Sequence, residues 1–418
     1  MSVRRRGWAT LTVGVSLALA LTACTAGTDA PVEDPASETD DAFADLDPIT
    51  ITYADQGSET ASNGVAFLAF ADEVTRKTGG KVTFEYFWSA SLATGPELLP
   101  AASSGLADMV PTPYVYQPQE LPNANWTADL LSLPEKSLPF NQVVTNIAIN
   151  DLLITNDVFV DEYAAQGLKP LAANAMTPYH ILCREPVDTL ADAAGKRIRA
   201  AGATWVAEAE AIGMVPTSLP TTEMYEGLQR GVIDCVSINL TGLLDWGLFE
   251  VAHHLVTAPM SGSSIPLLIN LDTWDSLPPA VQEVFEEAAA TWLRENIKTS
   301  LAQYADAFGA GGQGAVGTDL VLHAAPEIRK ALAAHQAAAR DALPGSAPSS
   351  IADPAAVIRQ FEDAVARWEA KLADEAGIEP IDPDLGSDAY KTALAEAAAD
   401  PKLATFLDEA AAYGFTAR

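Results

Sequence analysis

The chain is organised around residues 195–239, whose sequence is GKRIRAAGATWVAEAEAIGMVPTSLPTTEMYEGLQRGVIDCVSIN. The pattern predicts a strand carrying Arg199, then a helix, then a second strand ending at Asp234. These elements would form one βαβ-like unit with a guanidinium at its mouth. We predict that Arg199 holds the carboxylate of a small molecule, because a guanidinium offers paired donors to that group. The alternative is a solvated arginine or a structural ion pair.

Composition limits what this unit can belong to. The chain has 418 residues, which suits two lobes with accessory segments, and its 49% hydrophobic and 19% charged residues indicate a folded globular protein. The formal net charge of −32 argues against nucleic acid as a partner, since phosphate backbones require a basic face. An anionic ligand would therefore need a local cation inside a cleft.

The amino terminus predicts export. Arg4, Arg5 and Arg6 precede an apolar run that ends at Leu21, so residues 1–23 are interpreted as a signal peptide. The ending Leu21-Thr22-Ala23-Cys24 resembles the lipobox of bacterial lipoproteins, in which the cysteine is acylated. Cys24 would then anchor the protein on the outer face of the cytoplasmic membrane. An ordinary signal peptide with an incidental Cys24 is the alternative.

Beyond the anchor the sequence predicts a tether and then alternating strands and helices. Residues 24–47 have almost nothing to bury and are expected to be a disordered tether. The alternation that follows predicts an α/β fold with ligands at the carboxyl ends of strands. We expect the boundaries to be 48–174 for lobe I, completed by about 261–278; 175–260 for lobe II, completed by C-terminal helices; 279–310 for a spanning helix; and 311–418 for a C-terminal helical region.

Several segments carry more specific expectations. The Pro- and Asn-rich segment 121–139 is expected to wrap the surface, and one helix is expected over about 141–159. Residues 256–270 are interpreted as strands that return to lobe I. The pair His253-His254 is expected at a helix end on the surface.

Cys183 and Cys235 remain once Cys24 is acylated. Both lie in predicted strands that flank the central unit, and both would be outside the cytoplasm. An oxidising compartment favours a disulfide between them. Two buried thiols are the alternative.

The order of motifs resembles a known family, the solute-binding proteins of tripartite ATP-independent periplasmic (TRAP) transporters, of the C4-dicarboxylate-binding (DctP-like) type. The matching stretches are Phe70-Ala71-Asp72-Glu73-Val74 with Thr78-Gly79-Gly80-Lys81-Val82; Glu97-Leu98-Leu99 through Gly105 to Asp108-Met109; Gly195 to Arg199 with Gly213, Leu219-Pro220, Glu223, Tyr225, Gly231 and Asp234; and Trp274 with Leu277-Pro278. The resemblance implies a two-lobed periplasmic-binding-protein-like fold, with a long helix spanning both lobes. It also implies delivery of a small organic acid to TRAP membrane subunits.

The resemblance also implies site residues. Its near-constant arginine falls on Arg199, and its other contacts fall on Gln56, Tyr114, Tyr116, Tyr179, Thr221 and Asn239. Tyr179 stands where dicarboxylate and sialate binders of this family have a second arginine, and Thr221 stands where they have an aromatic residue. The family asparagine falls on Ile238, beside Asn239, so either the register shifts by one or that contact is lost. These departures favour a monocarboxylate ligand.

Three other functions are alternatives to this one. A binding protein for an ATP-driven importer is the nearest, and a secreted hydrolase and a ligand-free surface lipoprotein are more distant. The histidines lack metal-ligand spacing, and no nucleophile elbow or phosphate-binding glycine loop occurs in the sequence. We therefore expect no enzyme activity, no cofactor and no metal.

Overall fold

The computed structural model describes residues 43–131, 140–308, 320–377 and 399–416, together with positions 392 and 396. Two β-sheets form the framework, which we call sheet 1 and sheet 2. The strands are β1 Ile49–Ala54, β2 Val82–Phe87, β3 Met109–Pro111, β4 Leu168–Ala175, β5 Tyr179–Cys183, β6 Arg197–Arg199, β7 Val215–Thr217, β8 Cys235–Asn239, β9 His254–Met260, β10 Ser264–Asn270 and β11 Val321–His323.

Helices surround the two sheets. The α-helices are α1 Ser62–Lys77, α2 Leu98–Ser103, α3 Pro122–Leu130, α4 Phe140–Thr155, α5 Asp157–Ala164, α6 Leu190–Ala193, α7 Ala203–Ala211, α8 Met224–Gln229, α9 Leu240–Asp245, α10 Leu271–Ser276, α11 Pro279–Phe308, α12 Pro326–Ser346, α13 Pro354–Lys371 and α14 Pro401–Thr416. In the described residues no single helix is long and apolar enough to cross a membrane; by length and composition, the pair Gln142–Thr155 and Asp157–Ala164, bent by 64°, passes that test.

Each sheet builds one lobe. Sheet 1 has the order β2-β1-β3-β10-β4 and forms lobe I, and sheet 2 has the order β11-β9-β5-β8-β6-β7 and forms lobe II. Helices cover both sheets, so the predicted two-lobed α/β fold is confirmed. Of the two strands expected to return to lobe I, only β10 does so, because β9 pairs with β5 and β11 in sheet 2.

The spanning helix is α11. It has 30 residues and would extend about 45 Å at the usual rise per residue. It packs on α1 and β4 in lobe I and reaches α9, which follows β8 of lobe II. Val281, Phe285 and Trp292 recur at helical spacing and are fully buried, which is why this segment forms a packed helix.

The central stretch differs from its predicted form. The strand that carries Arg199 and the helix α7 are present, but β7 adds a short strand between the two helices α7 and α8. The last strand begins at Cys235 rather than ending at Asp234. Asp234 instead precedes the strand and accepts hydrogen bonds from Arg197.

Two further predictions about local structure are corrected. Within the segment expected to wrap the surface, Pro122 is the first residue of α3, where its missing N–H costs nothing; residues 132–139 lie outside the described residues. The single helix expected over 141–159 is two, because the Asn156 side chain caps α5 by accepting from Val158 N at 3.1 Å.

The predicted tether ends earlier than expected. Phe43 is buried in the core, and Lys81 Nζ donates to the carbonyls of Ala44 and Leu46 at 3.0 and 2.8 Å. These contacts hold residues 43–47 against lobe I. The signal peptide, Cys24 and the tether up to residue 42 lie outside the described residues.

A disulfide joins Cys183 to Cys235, as predicted. The two residues are directly paired across the antiparallel strands β5 and β8, with their Cα atoms 4.1 Å apart. At the other end of the same strand pair, Tyr179 lies opposite Asn239. The disulfide therefore fixes one end of the pair while the other end presents two of the predicted site residues.

The C-terminal helices pack on both lobes. Helix α12 packs on β9 and α7 of lobe II and on α3 of lobe I, whereas α13 packs on α4, and α14 packs on α4 and α11, on the side of lobe I. Phe361 and Trp368 of α13 are buried in the core.

Candidate functional site

A cavity lies between the two lobes. Its volume is about 80 Å³, and its lining comes from the ends of β1, β6 and β8, the loops after β3 and β4, and helices α9 and α11. The structure brings six of the seven predicted ligand residues to this cavity: Gln56, Tyr116, Tyr179, Arg199, Thr221 and Asn239. A larger groove of about 650 Å³ is also lined in part by Tyr116.

Arg199 is buried at the carboxyl end of β6. Its side chain is held by oxygen atoms: Nε donates to Leu219 O at 3.0 Å, Nη1 to Ser237 O at 3.4 Å and Nη2 to the Tyr116 hydroxyl at 3.0 Å. No carboxylate of the described residues lies within ion-pair distance of it. A buried guanidinium without a counter-ion is costly, which makes Arg199 the candidate anion-binding group of the cavity.

Arg197, two residues earlier on the same strand, is different. Its guanidinium is partly exposed and binds Asp234, with Nη2–Oδ1 at 2.8 Å and Nε–Oδ2 at 3.0 Å. These hydrogen bonds hold the pKa of Asp234 below its usual value. Arg197 therefore forms a structural ion pair with Asp234, whereas Arg199 does not.

Gln56 and Thr221 meet across the cleft. Thr221 Oγ1 of lobe II donates to Gln56 Oε1 of lobe I at 2.9 Å. A Cβ at Gly95 would lie 2.2 Å from Gln56 Oε1 and 2.9 Å from Tyr116 Cε2. Because residue 95 is a glycine, the side chains of Gln56 and Tyr116 can occupy this space.

Two of the three predicted tyrosines line the cavity. Tyr116 binds Arg199, and Tyr179 stacks on Trp205 with ring centroids 4.7 Å apart. Burial raises the pKa of Tyr179 well above its usual value, so it remains a neutral hydroxyl. Tyr114 does not reach the cavity: it is fully buried behind the wall, and Thr127 Oγ1 donates to its hydroxyl at 3.2 Å.

Asn239 ends β8 and faces the cavity together with Ile238. Its Nδ2 donates to Thr241 Oγ1, whereas its Oδ1 has no partner among the described residues although the residue is only 4% exposed. Ile238 and Asn239, the two positions on which the family asparagine could fall, therefore both line the cavity. The amide oxygen of Asn239 is available to accept a hydrogen bond.

Sequence reasoning missed two carboxyl groups in the cavity lining. Asp55 follows β1 immediately before Gln56, and Asp245 is the last residue of α9. Burial raises the pKa of Asp55 to about 6. The surrounding protein and the charge of Asp55 raise the pKa of Asp245 to about 7. The position of Asp55 after a strand could have identified it; Asp245 depends on how α9 packs.

Three asparagines complete the lobe I wall and were also missed. Asn63 Oδ1 accepts from Asn174 Nδ2 at 2.8 Å and from Asn296 Nδ2 at 2.7 Å. Their amides come from α1, β4 and α11, so no sequence spacing reveals the network. Its effect is to hold the walls of lobe I in a fixed arrangement.

Three tryptophans take different places relative to the cavity. Trp246 lines the cavity, whereas Trp205 is fully buried and donates from Nε1 to Ser261 O at 2.8 Å. Trp88 packs with Tyr53 and Tyr86.

The histidine pair is not at a helix end. His254 begins β9, and its Nδ1 lies 3.0 Å from His323 Nε2, while His323 Nδ1 lies 2.8 Å from Asp188 Oδ1. In the part of the chain that the structure describes, no group of three or more His, Cys, Asp or Glu residues could hold a metal ion.

Comparison with known proteins identifies the family of the chain. Residues 53–318 match the model described as DctP, bacterial extracellular solute-binding protein, family 7. The chain belongs to this family. Its fold and relatives are those of TRAP solute-binding proteins, which bind solutes rather than convert them.

The curated relatives include the ectoine-binding periplasmic protein TeaA of Halomonas elongata, which is 30% identical over 135 residues. That alignment covers 32% of this chain and 40% of the relative, so the chain spans about two fifths of that protein's length.

Two solved structures share the fold. The sugar acid binding protein DctPAm of Advenella mimigardefordensis, in complex with galactonate, has a TM-score of 0.65 and 18% identity over 77% of this chain and all of its own. DctP7 of Bordetella pertussis, which binds pyroglutamic acid, has a TM-score of 0.63 and 19% identity over 76% of this chain and 99% of its own.

Proposed function

We propose that this protein captures a small organic carboxylate between its lobes and delivers it to the membrane subunits of a TRAP transporter. One observation carries the proposal: Arg199 is buried in the cavity, and only carbonyl and hydroxyl oxygens of the described residues bind it. A carboxylate would supply the missing negative charge and accept two parallel hydrogen bonds. The acidic ligands of the two structural neighbours point to the same class.

Capture would couple to closure of the two lobes. Arg199–Tyr116 and Thr221–Gln56 both join lobe II to lobe I next to the cavity. A ligand that touches both walls favours the closed state by the contacts it makes only there. Closure would also remove water from the ion pair and strengthen it.

The proposal includes a lipid anchor at Cys24. Its support is the basic and apolar leader of residues 1–23 and the sequence Leu21-Thr22-Ala23-Cys24. Acylation would keep the protein on the outer face of the cytoplasmic membrane, near the transporter. Cys24→Ser should abolish labelling by a palmitate analogue and release the protein from the membrane fraction; unchanged labelling would contradict the anchor.

Replacement of Arg199 tests the carboxylate site. With the organic acid that most raises the melting temperature of the wild type, Arg199→Ala should weaken binding about 100-fold or more in calorimetry, because a buried charge pair is lost. Arg199→Lys keeps the charge but not the paired donors, so it should bind with intermediate affinity.

Arg197→Ala is the matched control. Arg197 lies on the same strand but binds Asp234 outside the cavity lining, so its removal should leave ligand affinity within about twofold. Equal affinity of the wild type and both folded Arg199 variants would contradict the proposal.

A further inference from the structure

We infer that the ligand is a zwitterion, with a carboxylate that binds Arg199 and a cationic N–H group that binds the Asp55 and Asp245 side of the cavity. The inference rests on the proposed function, because it assigns the second half of the same site. It is carried by the charges, the unpaired polar atoms and the geometry of the lining.

The charges of the cavity are unbalanced for a simple anion. Among the described lining residues, Arg199 is the one cation, whereas Asp55 and Asp245 both carry carboxyl groups. A monoanion paired with Arg199 would leave two carboxylates facing the same small space of about 80 Å³. A ligand that adds a positive charge balances the site.

The two carboxyl groups retain room for donors. Tyr53 Oη donates to Asp55 Oδ2 at 3.0 Å and Gly57 N donates to Oδ1 at 2.7 Å, and an ionised carboxylate can accept about four hydrogen bonds. Asp245 is exposed and lines the cavity, and no described residue donates a hydrogen bond to it. Both groups can therefore accept from a ligand.

An independent observation also calls for a donor. Asn239 is 4% exposed, its Nδ2 is engaged with Thr241, and its Oδ1 has no partner among the described residues. Gly242 provides the space beside this oxygen, because a Cβ there would lie 2.8 Å from it. A buried acceptor without a partner is costly, and an N–H of the ligand would satisfy it.

The titration of the two carboxyl groups agrees with this reading. Burial raises the pKa of Asp55 to about 6. Asp245 is open to the cavity but enclosed by the surrounding protein, and this enclosure together with the charge of Asp55 raises its pKa to about 7. A bound cation would favour both ionised forms. A bound anion would favour the protonated forms.

A ligand panel tests the class directly. Thermal shift and calorimetry on the full chain would compare ectoine and L-proline, which are zwitterions, with pyroglutamate and galactonate, which carry no cation. We expect a zwitterion to bind at least tenfold more tightly than either anion. Tighter binding of pyroglutamate or galactonate would overturn the inference that the ligand is a zwitterion, but it would agree with the proposed binding of a carboxylate. No binding by any of the four would overturn both proposals.

Two substitutions locate the cationic subsite. Asp245→Asn and Asp55→Asn should each weaken the best zwitterion at least tenfold and leave the binding of pyroglutamate unchanged or tighter. Asp234→Asn, which removes a carboxylate outside the cavity lining, is the matched control and should change neither. Equal losses for zwitterion and anion in the Asp245 variant would overturn the inference.

The pH dependence has opposite signs for the two ligand classes. Helix α11, which packs on α9, presents the uncharged Asn296 and Ser300 to the cavity. Asp245 and Asp55 therefore control the titration. Zwitterion affinity should rise between about pH 5 and 8 as both ionise, with proton release on binding. An affinity that falls over this range would overturn the inference.

Discussion

At the scale of single residues, position on a strand separates two arginines that the sequence places side by side. Arg197 begins β6 and meets Asp234, whereas Arg199 ends the strand and enters the cavity. Ligands in open α/β sheets bind at the carboxyl ends of strands. The same rule places Asp55 at the end of β1 and Asn239 at the end of β8.

Gly95 is a residue whose effect on the site can be tested. In Gly95→Ala the new Cβ would overlap Gln56 Oε1 and press on the Tyr116 ring. Gln56 must then move away from Thr221, and Tyr116 from Arg199. We expect ligand affinity to fall about fivefold, since about 1 kcal/mol of hydrogen bonding is lost from the closed form; calorimetry would measure it.

Gly345→Ala controls for the added methyl group, because a Cβ there meets nothing within 4 Å. It should leave ligand affinity unchanged. If Gly95→Ala binds as tightly as the wild type and Gly345→Ala, then the contact of Gln56 with Thr221 contributes nothing to capture.

At the scale of elements, the sequence predicts those whose pattern is local. Strands β1 and β2 follow from alternation and α11 from thirty residues without an internal glycine or proline after Pro279. Helix α3 was missed because proline and asparagine also typify loops. The site follows the same division: Arg199 was predicted from its motif, whereas Asp245 and the asparagines of lobe I reach the cavity only through packing.

The disulfide should act on stability and not on binding. Cys183 and Cys235 pair at one end of β5 and β8, and Tyr179 and Asn239 pair four residues away at the cavity end, about 13 Å along the strand. The bond closes a loop with a sequence separation of 52. The chain-entropy model gives about 4 kcal/mol for such a loop.

We therefore expect Cys183→Ala/Cys235→Ala to lower the free energy of unfolding by up to about 4 kcal/mol while ligand affinity stays within about twofold. Urea unfolding and calorimetry would measure the two quantities, and the wild type with reductant should behave like the variant. A large loss of affinity in the folded variant would show that the disulfide also shapes the cavity.

At the scale of the whole molecule, hydrogen bonds between the lobes form beside the cavity and away from it. Thr204 Oγ1 of α7 donates to Asp129 Oδ1 of α3 at 2.7 Å, and both residues line the larger groove rather than the cavity of Arg199. Burial raises the pKa of Asp129 above its usual value, although the hydrogen bond from Thr204 acts in the opposite direction. This contact can stabilise closure without touching a ligand.

Thr204→Val should shift the protein towards the open form. The substitution keeps the shape of the side chain and removes one hydrogen bond to a carboxyl group, about 1.5 kcal/mol, so apparent ligand affinity should fall about tenfold. X-ray scattering should show a larger radius of gyration without ligand and the wild-type value at saturation.

Thr273→Val is the matched control, because Thr273 Oγ1 donates to Asp108 Oδ1 at 2.6 Å within lobe I. It should lower stability without changing the radius or the affinity. If both variants scatter and bind alike, closure does not depend on the contact between α7 and α3.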